Sequence, residues 1–153
     1  MPRRTDPISA NEHRKLGAYL FNYTWSLIDR RPRSRAEDAE MLHAAHASRY
    51  HWGVVGRDLN RQIGEWQISR VYSTLGRAEP ALYHARQALA IARRAHLGRF
   101  YLAYAYEALA RAAAVAGRTR DRDRYVREAR RVGGRIRDPD DRRMLAEDLA
   151  TVD

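Results

Sequence analysis

The sequence predicts an all-α protein, a short solenoid of six to seven helices paired as antiparallel hairpins. Three observations predict it. Apolar residues recur at helical spacing in consecutive segments, and glycine or proline punctuates the segment ends. No segment reads as a strand. A set of small and apolar residues recurs 41 residues further along the chain.

The first helix starts at Ser9, where Ser9-Ala10-Asn11-Glu12 reads as a capping box. Leu16, Leu20, Tyr23 and Leu27 carry its apolar face, widened by Tyr19, Trp25 and Ile28. Pro32 ends it, because proline disfavours helical geometry in the residue before it. A second capping box at Ser34-Arg35-Ala36-Glu37 opens a helix through Met41, Leu42, Ala45 and Tyr50 to about Trp52-Gly53. Gly53-Val54-Val55-Gly56 reads as a break. A third helix spans about 58–75 and stops at Gly76. A fourth begins near Glu79-Pro80, where the missing proline N–H costs nothing, and runs to about His96. A fifth covers 99–116 and stops at Gly117, and a sixth covers about 119–132. A short seventh, about 139–150, opens on Asp138, Asp140 and Asp141, which the helix dipole favours there. The connections are short, so neighbouring helices are expected to lie antiparallel.

Residues 68–89 hold Ile68, Ser69, Tyr72, Leu75, Gly76, Ala81, Ala88 and Leu89. Small side chains at Ser69, Ala81 and Ala88 let helices approach, Tyr72 fills the gap between them, and Gly76 makes the turn. The set recurs as Leu109, Ala110, Ala113, Ala116, Gly117 and Ala129, with Ala113 in place of Tyr72 and Arg122 in place of Ala81. About 42 residues before the better copy, Tyr23, Ala39 and Gly56 fit a looser one, whose turn holds Arg33 and Ser34. This pattern resembles the tetratricopeptide repeat, and the whole resembles bacterial tetratricopeptide-like proteins. The resemblance implies a right-handed solenoid in one domain. Residues 9–56 form a degenerate first pair, 57–98 the best repeat, 99–134 the second and 138–150 a capping helix. A spacing of 41 against the usual ~34 implies about two extra helical turns per repeat.

Composition narrows the function. The chain of 153 residues has no cysteine, which removes disulfides, thiolate metal sites and cysteine nucleophiles. The opening Met-Pro-Arg-Arg-Thr-Asp leads into no long apolar run, so no secretory leader is expected. The most apolar stretch, Phe100 to Ala116, carries Glu107 and Arg111, so no membrane span is expected and a cytoplasmic location is. Net charge is +10, and every basic residue but Lys15 is arginine. Two readings compete: phosphate or carboxylate recognition, or a codon bias of the source genome. The spread favours the bias, since residues 1–35 sum to +5, 36–56 to −2, 57–98 to +4 and 99–153 to +3.

The tetratricopeptide resemblance implies a binding groove lined by the first helix of each repeat. On this chain that surface includes Trp66, Arg70, Ser73 and Thr74, then Tyr104, Glu107 and Arg111. Arginines and aromatics there suit a protein or peptide partner of acidic character. The plainer reading puts Trp66 and Tyr104 in the core and pairs Glu107 with Arg111 at i,i+4. Glu40, His43 and His46 share a helical face and are weak candidates for a metal or acid/base site. Aligned with Ala85 and Ala88, His43 and His46 are expected to pack between helices, and His51 to cap carbonyls at the helix end. Arg120, Arg124, Arg127 and Arg131 form a stripe that suits nucleic acid, interrupted by Asp121, Asp123 and Glu128.

No HExxH, phosphate-binding glycine loop or GxSxG is present, and no cofactor is expected. The expected function is a protein- or peptide-binding module, with nucleic-acid binding second and a histidine- or metal-dependent enzyme third. A homodimer is a further expectation, because short solenoids need covered ends.

Overall fold

Ser9 and Ser34 start the first two helices by the same device. Each hydroxyl accepts the backbone N–H of the third helical residue, at 3.2 Å, and the glutamate there accepts the serine N–H at 2.8 Å. Two orphan donors are satisfied at each start. The computed structural model describes residues 5–153, so Met1 to Arg4, the charged opening of the expected leaderless start, lie outside the described residues. The described chain contains seven helices and no strand: α1 Ala10–Asp29, α2 Arg35–Val55, α3 Asp58–Thr74, α4 Ala78–Arg94, α5 Arg99–Val115, α6 Thr119–Gly133 and α7 Pro139–Leu149.

The expected break at 53–56 is shorter than the sequence suggests. Helix α2 runs through Gly53 to Val55, and Gly56 closes it by donating to Trp52 O at 2.7 Å. One glycine inside a helix costs only about 1 kcal/mol, and the neighbouring packing outweighs it.

The 41-residue interval is structural. Helices α3 and α5 start at Asp58 and Arg99, and α4 and α6 at Ala78 and Thr119. The intervening turns at Gly76 and Gly117 have φ of 70° and 68°. At both, the next residue donates back across the turn, Arg77 to Tyr72 O and Arg118 to Ala113 O, each at 2.9 Å. Glycine adopts this left-handed conformation without a Cβ penalty.

Within each hairpin the helices are antiparallel. Ser48 Oγ donates to Gly17 O and Tyr23 Oη to Glu40, both at 2.8 Å, while Ser69 Oγ donates to Ala81 O at 2.9 Å. Between hairpins α2 packs on α3 and α4 on α5, and α1 also approaches α3, α3 approaches α5 and α5 approaches α7. Among the described residues the backbones of α2, α4 and α6 do not approach one another, and His46 of α2 meets His84 of α4 only through their rings, 5.4 Å apart. The molecule therefore has an inner layer of odd-numbered helices and an outer layer of splayed even-numbered ones. Crowding on one layer only curves a solenoid, with the crowded layer on the concave side.

Alanine makes the close approaches possible. Ala81, Ala85, Ala88, Ala105, Ala110 and Ala113 are fully buried. Helix α5 is covered by α3, α4, α6 and α7, as a helix apolar nearly all round requires. One apolar cluster joins α4 to α7 around Leu109, Tyr106 and Leu145. A second joins α1, α2 and α3 around Leu27, Met41 and Ile68. Each fully buried large aliphatic side chain contributes about 1.5–3 kcal/mol.

Candidate functional site

Because the inner helices pack at a constant offset, residues 41 apart fall into rows that cross the concave layer. One row is Trp25, Trp66, Glu107 and Asp148. The next, one turn further along α1, α3 and α5, is Asp29, Arg70 and Arg111, with Val152 at the same interval just past the end of α7.

The first row borders an aromatic recess of about 360 Å³. The Trp25 and Trp66 ring centroids are 5.6 Å apart, and Tyr104 meets Trp66 edge-on at 5.6 Å. Phe100 lies 4.9 Å from Tyr104, and Met144 closes the α7 side. Tyr104 Oη donates to Asp148 Oδ2 at 2.7 Å. Burial and that carboxylate push the Tyr104 phenol up from its ordinary value.

The second row borders a wider depression of about 620 Å³, at the C-terminal ends of α1, α3 and α5. Ser73 and Thr74 line it with Arg31, Ala114 and the segment 151–153. The buried Ser73 hydroxyl has no hydrogen-bond partner. Thr74 turns its hydroxyl back to Arg70 O at 2.8 Å.

Glu107 joins the two depressions from beneath. Its side chain is fully buried. Oε2 accepts Trp66 Nε1–H at 3.2 Å, while Oε1 accepts Arg70 Nη1 at 3.2 Å and Arg111 Nε at 2.7 Å. Burial pulls the Arg70 guanidinium down from its ordinary value, and Glu107 opposes the shift. Arg111 also donates through Nη2 to Asp148 O at 3.0 Å and to Thr151 Oγ1 at 2.9 Å.

The structure thus places Trp66, Arg70, Ser73, Thr74, Tyr104 and Arg111 on the inner layer and around the groove, with two corrections. Glu107 lies under the groove floor. The Arg111 fork is engaged within the chain, tying α5 to α7, so it is not an open clamp for an acidic partner. The sequence reading missed Trp25, Asp29 and Asp148. One step of 41 residues back from Trp66 and Arg70 finds Trp25 and Asp29, and two steps forward from Trp66 find Asp148.

Two histidine expectations fail. His43 and His46 are exposed, and Ala44, Ala45 and Ser48 hold the packing positions. The interval of 42 used for the loose copy was one residue too long. At 41, His43 corresponds to His84 rather than Ala85, and one residue turns a helical position by about 100°. Glu40 is bonded to Tyr23, and His46 Nε2 lies 3.1 Å from Tyr72 Oη. Among the described residues no group of three or more His, Asp or Glu side chains is placed to hold a metal. His51 caps no carbonyl; its Nδ1 shares a hydrogen bond with Nδ1 of buried His13 at 2.8 Å, and His13 Nε2 meets Asp6 at 3.0 Å.

Two other features lie off the groove. Buried Glu65 joins Arg49 at 2.8 Å and His84 at 2.6 Å, across α2, α3 and α4. On α6, Arg124 pairs with Asp121 and Arg131 with Glu128, so part of the arginine stripe is neutralised on its own helix. Among the described residues no helix is long and apolar enough to cross a membrane.

No protein-family model, curated protein or solved structure matches this chain.

Proposed function

We propose that the protein is an interaction module of tetratricopeptide-like design, acting inside the cell, that holds a segment of a partner protein along its inner groove. One observation supports this above the rest. Two rows of chemically distinct side chains cross the concave layer side by side, one aromatic and acidic, the other charged. An extended segment lying in the groove would meet both rows within a few residues. The buried Glu107 network underneath holds Trp66, Arg70 and Arg111 in fixed positions, and fixed positions lower the entropic cost of binding. No reaction is assigned.

The test is selection of peptides from a random displayed library against the full chain. Selected peptides are then titrated while the backbone and indole resonances are followed. Shifts confined to Trp25, Trp66, Arg70 and their neighbours support the groove. Shifts confined to outer-layer residues such as Tyr83, Arg86 and Arg127 defeat it.

A second reading rests on Arg120 and Arg127, which have no carboxylate within ion-pair distance among the described residues. With a net charge of +10, this outer stripe would bind nucleic acid through phosphates, with affinity falling steeply with salt. Oligonucleotide titration at low salt decides that reading, and no binding there ends it.

A further inference from the structure

We propose that the aromatic recess takes a basic side chain of the bound segment, an arginine or a lysine. The inference rests on the groove reading above and adds the sign of the ligand's charge, opposite to the acidic partner expected from the sequence.

The row itself carries the argument. Trp25 and Trp66 are half-buried and line the recess together. Asp148 stands in the same wall. One of its oxygens accepts from Tyr104, and among the described residues no arginine or lysine nitrogen lies within 4.0 Å of the carboxylate. Indole faces attract cations through the ring quadrupole. Trp66 also donates its N–H to the Glu107 carboxylate, which makes the ring more electron-rich. Aromatic faces closed by a carboxylate that lacks a cation form a receptor for a positive side chain with an alkyl stem.

The electrostatics of the groove point the same way. Around it stand the carboxylates of Asp29, Glu107, Asp148 and Asp153 and the guanidinium groups of Arg31, Arg70 and Arg111. Carboxylates outnumber cations by one, in a chain whose net charge is +10. The C-terminal ends of α1, α3 and α5 meet beside the second row and add negative dipole ends. Neither Arg70 nor Arg111 lines the recess, and Glu107 pairs with both and offsets their charge. An acidic ligand would find the Arg111 donors already engaged.

The experiment uses the selected peptides described above. Enrichment of arginine or lysine, with shifts at the Trp25 and Trp66 indoles and none at Trp52, is the expected result. Replacing the basic residue by norleucine, which keeps the stem and removes the charge, should weaken binding by about tenfold or more. Asp148→Asn should weaken it by a similar factor, while Asp148→Glu retains binding. The asparagine can still accept from Tyr104, and an unchanged melting curve verifies that the fold is intact. Equal binding of the norleucine peptide, indifference to Asp148→Asn, or enrichment of acidic peptides overturns the proposal and leaves the groove standing. Failure to select any groove-binding peptide removes the groove reading and this inference together.

Discussion

Trp66 and Glu107 lie 41 residues apart in the chain, and their polar atoms lie 3.2 Å apart in the fold. The indole N–H of one inner helix is satisfied by the carboxylate at the equivalent position of the next. A sequence interval has become a contact, and the same carboxylate anchors Arg70 and Arg111. Glu107→Ala removes the shared acceptor and leaves two largely buried guanidinium groups facing each other. The expected loss of folding stability is about 3–5 kcal/mol, the range for breaking a buried charge network on one side. Urea denaturation measures it, and a loss under about 1 kcal/mol would show the network to be incidental.

Arg111 ties α5 to α7 through Asp148 O and Thr151 Oγ1. Lysine keeps the charge but lacks the planar fork that reaches Glu107 and α7 together. In Arg111→Lys, amide exchange should therefore speed up at residues 145–153 far more than in α3 and α4. Uniform acceleration across the chain would contradict a local tether.

His96 holds a left-handed conformation, φ 50°, at the end of α4, where Leu97 donates back to Ala92 O at 3.1 Å. Gly76 and Gly117 occupy this place at the ends of α3 and α5. A non-glycine residue there costs about 1–2 kcal/mol, offset by about 0.4–1 kcal/mol of unfolded-state entropy. His96→Gly should stabilise the protein by about 0.5–1 kcal/mol on this balance. Gly76→Ala, where an added Cβ meets no atom within 4 Å, should destabilise it by a similar amount from strain alone. Denaturant midpoints moving the other way would refute the assignment.

Burial and the neighbouring His13 hold the His51 imidazole below its ordinary value of 6.5, with Asp6 opposing weakly. His46, exposed at one edge but partly desolvated where its ring lies against Tyr72 and His84, is lowered likewise, with His84 and His43 adding to the shift and Glu65 opposing it. The folded protein thus takes up these protons less readily than the unfolded chain does. As pH falls through about 6.5 the unfolded chain binds more protons, so stability declines on acidification and is regained on raising the pH. Melting curves between about pH 5 and 7.5 should show this slope. His51→Gln should flatten it, and a variant with the wild-type slope would assign the effect elsewhere.

How much of this was legible varies by residue. The capping serines, the turn glycines and the apolar α5 are local signals, and each sits where its chemistry placed it. Arg70 and Arg111 were also visible, because they follow the better repeat. Trp25 and Asp148 were hidden: the looser first copy was aligned one residue out, and α7 is too short to show a repeat. That single residue also sent His43 and His46 into a core they do not enter. Helical periodicity forgives no slip, since the next position faces about 100° away.

By itself the sequence determined the all-α class, the order of the helices and the 41-residue beat, because capping, turn formation and amphipathic spacing act over a few neighbouring residues. Only the tertiary structure decided that Glu107 lies beneath the groove floor, that Arg111 is engaged with α7, and that two tryptophans and Asp148 share one recess. Those outcomes depend on side chains about forty or more positions apart, whose burial and pairing are set by how the layers stack.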